Sequence, residues 1–119
     1  MKQEHKELLL RDLCARLPYG VIIQIKDWTV LDAELKIGHI NRLQINDVEL
    51  KPYLFPMSSM TEEQKVIYGD LCYSVIQSLA NNMQSELNEL INWLNANHFD
   101  YRGLIEKGLA IDATGLNIY

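Results

Sequence analysis

Residues 98–102, His-Phe-Asp-Tyr-Arg, form the densest group of chemically versatile side chains in the sequence. A histidine two residues from a carboxylate could act as a general base oriented by Asp100, which would place a small hydrolase or transferase site here. The structural alternative is that Asp100 caps a helix, His98 ends the preceding one and Phe99 fills the core. Since no nucleophile with a paired base lies nearby, we assign no catalytic residue.

The sequence predicts no metal site and no cofactor site. His5, His39 and His98 are far apart, and neither Cys-x-x-Cys nor His-x-x-x-His spacing occurs. The glycines do not form a phosphate loop between a strand and a helix. Cys14 and Cys72 each lie among apolar residues, which predicts two buried thiols that act as small hydrophobic side chains.

The segment from Lys51 to Gln64, KPYLFPMSSMTEEQ, places large apolar side chains between two prolines and a helix start. Aromatic and methionine side chains are common at protein interfaces, but a small domain also uses its few aromatic residues in its core. We expect the segment to dock the helices onto a sheet. Its side chains and those of residues 98–102 give a candidate interaction surface: Tyr53, Phe55, Met57, His98, Tyr101 and Arg102.

The charge of the chain weighs against nucleic-acid binding. Its 119 residues carry 16 acidic and 11 basic side chains, for a net charge of −5. Nucleic-acid binding proteins usually present a basic face, whereas the basic residues of the predicted strand region are offset by acidic ones. Nucleic-acid binding by a small barrel is therefore only an alternative to the function we favour.

Length and hydropathy indicate one cytoplasmic domain spanning residues 1–119. The N-terminal residues 1–14 lack the uninterrupted apolar stretch of a signal peptide, and no apolar run approaches the ~20 residues needed to cross a bilayer. We therefore predict no membrane contact. The partner would be a protein of unknown identity, and a homo-oligomer is possible.

The first half of the chain predicts a helix followed by a β region. Apolar residues at three- and four-residue spacing predict a helix within residues 1–18, which Pro18 ends. Residues 20–52 then alternate with a period of two, in four short runs separated by turns at Asp27, Gly38-His39 and Asn46-Asp47. The two prolines of the next segment should stop any regular element. This pattern predicts a four-strand antiparallel meander, either open or closed into an SH3-like small barrel.

The second half predicts a helical part, residues 61–108, and a tail, residues 109–119. Thr61 and Gln64 have the spacing of a capping box. An apolar stripe from Ile67 to Leu79 predicts a buried helix face, and the poor helix pair Asn81-Asn82 predicts a break between helices at about 62–82 and 86–96. A short third helix should run from Tyr101 to Lys107. Trp28 and Trp93 are expected to be structural.

Three stretches carry a resemblance: KELLLRDLCARLPYGV (6–21), KPYLFPMSSMTEEQ (51–64) and WLNANHFDYRGLIEKGLAID (93–112). They resemble a group of small uncharacterised proteins encoded by anaerobic gut bacteria, often in prophages and other mobile elements. The resemblance implies a genomic context and assigns no functional residue.

The sequence thus predicts an α+β domain with an N-terminal helix, a four-strand antiparallel meander and three C-terminal helices. The function we expect is that of a small non-enzymatic cytosolic accessory protein of a phage or mobile element, acting through protein–protein contact. The alternatives are the nucleic-acid-binding small barrel and the hydrolase or transferase that would use His98 and Asp100.

Overall fold

The structure, a computed structural model, describes residues 2–46, 48–80 and 84–119, and these ranges have an α+β architecture. The described helices are α1 (Gln3–Arg16), α2 (Ile37–Asn46), α3 (Glu62–Gln77) and α4 (Gln84–Ala96). The described strands are β1 (Ile22–Lys26), β2 (Val30–Glu34), β3 (Glu49–Pro56), β4 (Phe99–Asp100) and β5 (Ile111–Asp112). Of the predicted turns, the one at Asn46-Asp47 includes Asp47, which lies outside the described residues.

Helix α1 confirms the N-terminal prediction. It buries Leu9 and Leu13, which are spaced four residues apart and so lie on one helix face. A 3-10 turn, Leu17–Tyr19, carries Pro18 near its start, and the chain then reverses at Gly20 in the left-handed conformation, with a φ of 69°.

The sheet is mixed, so the predicted antiparallel meander and SH3-like barrel are wrong. Strands β1 and β2 form an antiparallel hairpin, and β1 also pairs antiparallel with the first half of β3. The second half of β3 pairs in parallel with two short strands from the C-terminal part of the chain, β5 at Tyr53–Leu54 and β4 at Phe55–Pro56. These parallel pairings link residues 44 and 58 positions apart, which local alternation in the sequence does not reveal.

The third predicted strand is part of helix α2. The Gly38-His39 pair, expected to be a turn, lies in the first turn of this helix, where the Lys36 N–H donates to His39 Nδ1 over 2.9 Å. Burial of Ile40 and Leu43 follows the helical period, whereas Ile45 is exposed. The apparent alternation of Leu43 and Ile45 was therefore a misleading signal.

Strand β3 runs through both prolines, so the expectation that no regular element could do so is wrong. Pro52 pairs with Ile23 of β1, and Pro56 is the last residue of the strand. A proline cannot donate a ladder hydrogen bond, but it is tolerated where that donor is not needed. The ladder between β1 and β3 ends at this pair, which bears on the site described below.

Helices α3 and α4 form a hairpin. The capping box is confirmed: Thr61 Oγ1 accepts from the Gln64 N–H, and Gln64 Oε1 accepts from the Thr61 N–H. Helix α3 ends at Gln77, earlier than the predicted residue 82, and α4 begins at Gln84. The predicted break at Asn81-Asn82, with Met83, lies outside the described residues.

The third C-terminal helix is not formed. Turn structure covers only residues 104–108, and Gly103 and Gly108 are both in the left-handed conformation at φ values of 73° and 72°. A left-handed residue cannot continue a right-handed helix, so Gly103 prevents a helix that starts at Tyr101. The chain after Lys107, where the predicted helix ends, does have a helix-like closure, since the Leu109 N–H donates to the Leu104 carbonyl over 2.9 Å.

Two apolar clusters hold the described elements together. The larger one joins α1, α2 and the β1–β3 sheet, and its fully buried members include Leu13, Ile23, Leu43 and Leu54. The smaller one is centred on three buried residues and is surrounded by partly buried ones from the α3–α4 hairpin. Its buried members are Met60, Leu94 and Phe99.

The expectations for the tryptophans and cysteines are only half met. Trp93 is structural, with its ring stacked 5.7 Å from that of Phe99. The prediction that Trp28 is structural is wrong, since this residue is 98% exposed at the tip of the β1–β2 hairpin. Cys14 is exposed and Cys72 half-buried, so the prediction of two buried thiols is also wrong. None of the described helices is long and apolar enough to cross a membrane.

Candidate functional site

The segment 98–102 lies where α4 meets the sheet. His98 follows the helix with a φ of 62°, an unusual value for a residue other than glycine, and its carbonyl accepts the Phe55 N–H of β3 over 2.8 Å. The His98 ring stacks on the ring of Tyr119, with a centroid distance of 3.7 Å and an interplanar angle of 11°. Burial, with the nearby positive charge of Arg16, lowers the pKa of His98 to about 4. The imidazole is therefore neutral at physiological pH.

Asp100 has a capping role. Its carboxylate accepts two backbone N–H groups, those of Leu104 and Ile105, each over 2.9 Å. Within the described residues, no hydrogen bond joins His98 to Asp100, and the two side chains have separate neighbours. This geometry gives no support to the acid–base pair that a hydrolase or transferase would need.

A fully buried ion pair connects α1 to this segment. Arg16 Nε lies 2.8 Å from Asp12 Oδ2, and both side chains have no exposed surface. The Arg16 guanidinium also donates to the Phe99 carbonyl over 2.6 Å. Burial raises the pKa of Asp12, although the positive charge of Arg16 opposes that effect. The pair therefore positions β4 against α1, at a cost in desolvation.

Tyr101 and Arg102 pack beside the Asp12–Arg16 ion pair. Both Arg16 and Arg102 lie over the Tyr101 ring, at 5.2 and 4.8 Å from its centroid. The Tyr101 hydroxyl donates to Asn95 Oδ1 over 2.8 Å, and Arg102 Nη1 lies 3.6 Å from Asp12 Oδ1. These contacts engage the Tyr101 hydroxyl and Arg102 Nη1 within the fold.

Tyr119 completes the sheet where the ladder between β1 and β3 stops. Its hydroxyl accepts the Ile22 N–H and donates to the Tyr53 carbonyl, each over 2.8 Å. The hydroxyl thus bridges two backbone groups that lie one residue beyond the Ile23–Pro52 pair. Burial raises the pKa of Tyr119 to about 12, so the bridging proton is retained throughout the physiological range.

A cavity of about 330 Å³ lies beside His98 and Tyr119. Among the described residues, no charged side chain lines it. Its lining residues are Phe55, Ser59, Thr61, Gln64, Ala96, Asn97, His98, Phe99 and Tyr119. The cavity could hold a small uncharged group, but its Thr61 and Gln64 side chains already bond each other's backbone.

Tyr53, Phe55 and Met57 divide between two environments. Tyr53 is buried, and its hydroxyl donates to Asp32 Oδ1 of β2 over 2.7 Å. Phe55 and Met57 are half-buried and pack on the smaller apolar cluster. Like them, His98, Tyr101 and Arg102 are half-buried, so the candidate interaction surface is not a single exposed patch.

The sequence analysis assigns no metal ligands among His5, His39 and His98. Within the described ranges, no group of three histidine, cysteine, aspartate or glutamate side chains is arranged to hold a metal ion. Cys14 and Cys72 are both free thiols.

An exposed apolar helix surface lies on α3, where the predicted buried stripe is partly wrong. None of its 16 residues is buried. Tyr68 does pack inward, with its ring 6.4 Å from that of Trp93. On the outer side, Val66, Tyr73 and Ile76 are 65%, 62% and 60% exposed. We call the outer residues Val66, Gly69, Tyr73 and Ile76 the α3 stripe.

A second exposed apolar group lies on the β1–β2 hairpin. Trp28 extends from its tip, and Val30 and Leu31 of β2 are each 59% exposed. Leu31 pairs with the buried Ile25, so its side chain continues the core face of the sheet past the helices that cover it. Strand β2 is an edge strand, paired with β1 alone among the described strands.

Sequence reasoning missed both surfaces, although the sequence held a signal for the first. Apolar residues occur on nearly every side of α3, and a helix that is apolar all round needs partners on every side. The described part of this chain supplies α4 as its main packing partner. The comparisons with protein-family models, curated proteins and solved structures give no match for the chain.

Proposed function

We propose that this protein is a small non-enzymatic accessory protein that acts through protein–protein contact at the α3 stripe. The observation that carries the proposal is a four-turn helix with no buried residue and with large apolar side chains directed to solvent. Contiguous exposed apolar surface is costly in water, and on soluble proteins it commonly marks an interface. The spacing of the stripe, three then four then three residues, matches the spacing by which one helix packs against another.

The chemistry of the remaining sites supports a binding role. The side chains proposed for an acid–base pair, His98 and Asp100, have separate partners, and the charged groups of Asp12 and Arg16 are engaged with each other. A cytosolic location and an origin in a phage or other mobile element belong to the same proposal. The location rests on the hydropathy of the sequence, and the origin on the resemblance of residues 6–21, 51–64 and 93–112.

A comparative pull-down tests the proposal. Tagged wild-type protein and a Tyr73→Ser/Ile76→Ser variant would be incubated with lysate of the source bacterium, and captured proteins quantified by mass spectrometry. We expect at least one protein to be captured by the wild type and lost by the variant, because central aromatic and aliphatic side chains carry most interface energy.

A matched control is Leu116→Ser, which alters an exposed apolar residue in the C-terminal tail. It should capture the same proteins as the wild type. Recovery of no protein above background, while the pure protein stays monomeric, would overturn the proposal. So would a set of captured proteins that the Tyr73→Ser/Ile76→Ser variant retains.

A further inference from the structure

The α3–α4 hairpin concentrates the negative charge of the protein. Residues 61–96 contain five acidic side chains and one lysine, a net charge of −4 in a chain whose total is −5. The acidic residues are Glu62, Glu63, Asp70, Glu86 and Glu89. The α3 stripe therefore lies on an acidic hairpin.

The acidic groups are largely unneutralised. The one lysine, Lys65, is already paired with Glu62, at 3.2 Å between Nζ and Oε1. Among the described residues, the other four acidic side chains of the hairpin have no ion-pair partner. Glu86 lacks a hydrogen-bond donor as well, because its Oε2 is buried and, in the described part of the chain, accepts no hydrogen bond. A buried carboxylate oxygen without a donor costs free energy that an incoming cation would recover.

Glu86 lies in a groove that opens beside the stripe. The groove runs between α3 and α4, and its lining includes Tyr73 of the stripe together with Glu86 and Glu89 of α4. A segment seated on Tyr73 would thus bring its flanking side chains next to two carboxylates. Cationic flanks would be attracted there, and anionic flanks repelled.

The shape of the stripe fits a helix. Gly69 lies between Val66 and Tyr73, and a Cβ added to it would meet no atom within 4 Å. The absence of a side chain there leaves a notch between two large side chains, into which a partner's side chain can insert. Three- and four-residue spacing over about three turns aligns the stripe for contact with a second helix rather than with an extended strand.

We infer that the α3 stripe binds a basic amphipathic helix of a partner protein, with the partner's lysine or arginine side chains directed at the groove of Glu86 and Glu89. This inference rests on the proposed function and specifies its partner. A second copy of this chain is disfavoured as the occupant, because pairing two α3 stripes would bring two hairpins of charge −4 together.

Two synthetic helical peptides of about 18 residues test the inference, a length at which isolated helices become stable in water. Both carry leucine at heptad positions a and d, and they differ only at the flanking positions, lysine in one and glutamate in the other. Binding to the full-length protein would be measured by fluorescence anisotropy at low salt. We expect the lysine peptide to bind at least about tenfold more tightly, and the difference to shrink on going from about 0.05 to 0.5 M salt.

Three variants distinguish binding of the peptide at the α3 stripe from a general electrostatic attraction to an acidic protein. The Tyr73→Ser/Ile76→Ser variant keeps every charge, and it should weaken lysine-peptide binding at least about tenfold. The Glu86→Gln/Glu89→Gln variant keeps the apolar stripe and should reduce the preference for lysine over glutamate. The Trp28→Ser/Leu31→Ser variant, on the distant hairpin, should bind like the wild type. Circular dichroism checks that each variant is folded.

The inference is overturned if the glutamate peptide binds as well as the lysine peptide, or if the Tyr73→Ser/Ile76→Ser variant binds the lysine peptide unchanged. It is also overturned if sedimentation shows a wild-type dimer that the same variant abolishes, since a second copy would then cover the stripe. In each case a pull-down that still depends on Tyr73 and Ile76 would leave the proposed function standing. A pull-down that no longer depends on Tyr73 and Ile76 would overturn both the proposed function and this inference.

Discussion

Helices α1 and α3 are similar in length, 14 and 16 residues, and mix apolar with charged side chains, but they use them in opposite ways. Helix α1 buries the charged pair Asp12 and Arg16 completely, whereas α3 leaves Val66, Tyr73 and Ile76 mostly exposed. Residue type alone would have predicted the reverse. The difference shows that burial follows position relative to the sheet.

The two helices therefore have different energetic roles. Around α1, several elements converge on Arg16, which bonds both its own helix and the Phe99 carbonyl of β4. Disturbing that point should affect the whole fold. Helix α3 packs mainly on α4. Substitutions on its outer face should leave the fold intact, so this face is available to evolve as a binding surface.

The largest effect is expected from Arg16→Ala. This change leaves the buried Asp12 carboxylate without its main partner and removes a donor from Phe99, so the free energy of unfolding should fall by about 3–5 kcal/mol. Urea denaturation at neutral pH measures it. The control is Arg11→Ala, on the exposed side of α1, which should change stability by less than about 0.5 kcal/mol. Equal effects of the two changes would contradict the central role given to the ion pair.

Tyr119→Phe comes next. Loss of the hydroxyl leaves the Ile22 N–H and the Tyr53 carbonyl without the group that bridges them, which should lower the free energy of unfolding by about 1–3 kcal/mol. Tyr73→Phe on α3 is the matched control, because its ring is largely exposed and should lose less than about 0.5 kcal/mol. If Tyr73→Phe proved as costly as Tyr119→Phe, the contrast between the two regions would fail.

Acid should destabilise the fold through His98. Its pKa falls from 6.5 to about 4 on folding, so the unfolded chain takes up a proton at a pH where the folded protein does not. The stabilising contribution of neutral His98 is complete above pH 6.5 and is lost as the pH falls toward 4. Because the ring is partly exposed, we expect a loss of about 1–2 kcal/mol.

Chemical denaturation at several pH values measures this loss. His98→Asn serves as the comparison, since asparagine tolerates the left-handed backbone conformation but does not titrate. Over the same interval the variant should show a shallower decline than the wild type. Parallel pH profiles for the two proteins would show that His98 is not responsible.

The smallest effect is a gain. Gly69→Ala in the middle of α3 adds a methyl group where no atom lies within 4 Å, and should raise the free energy of unfolding by about 0.5–1 kcal/mol. Gly20→Ala, in the turn after α1, should do the opposite, because its φ is 69° and the new Cβ would lie 3.1 Å from Glu34 Oε1. Thermal unfolding distinguishes the two. A destabilised Gly69→Ala would mean that α3 is packed on its outer side.

Features set by short-range interactions could be predicted from the sequence. The helix over α1 follows from its apolar period, the capping box of α3 from Thr61 and Gln64, and the β1–β2 hairpin from alternation around Asp27. Each depends on residues within a few positions of one another, whose backbone preferences act whatever the rest of the chain does.

Features set by distant partners could not. Strands β4 and β5 have two residues each and exist only because β3 pairs with them. The course of β3 through Pro52 depends on Tyr119, 67 positions further along, bridging the backbone where the ladder ends. The candidate site was affected in the same way: the segment 98–102 was recognised as polar and aromatic, but its packing on Arg16 requires α1 to be in place.

Short-range sequence preferences thus account for the α+β composition of the fold and the start of α3, and the amino-acid content accounts for the acidic charge of the α3–α4 hairpin. The tertiary structure decided which apolar stripe of α3 is covered, that Asp12 and Arg16 are buried and that Trp28 is exposed. The physical reason is that a helix or strand forms from the preferences of neighbouring residues, whereas burial depends on which other elements lie against it.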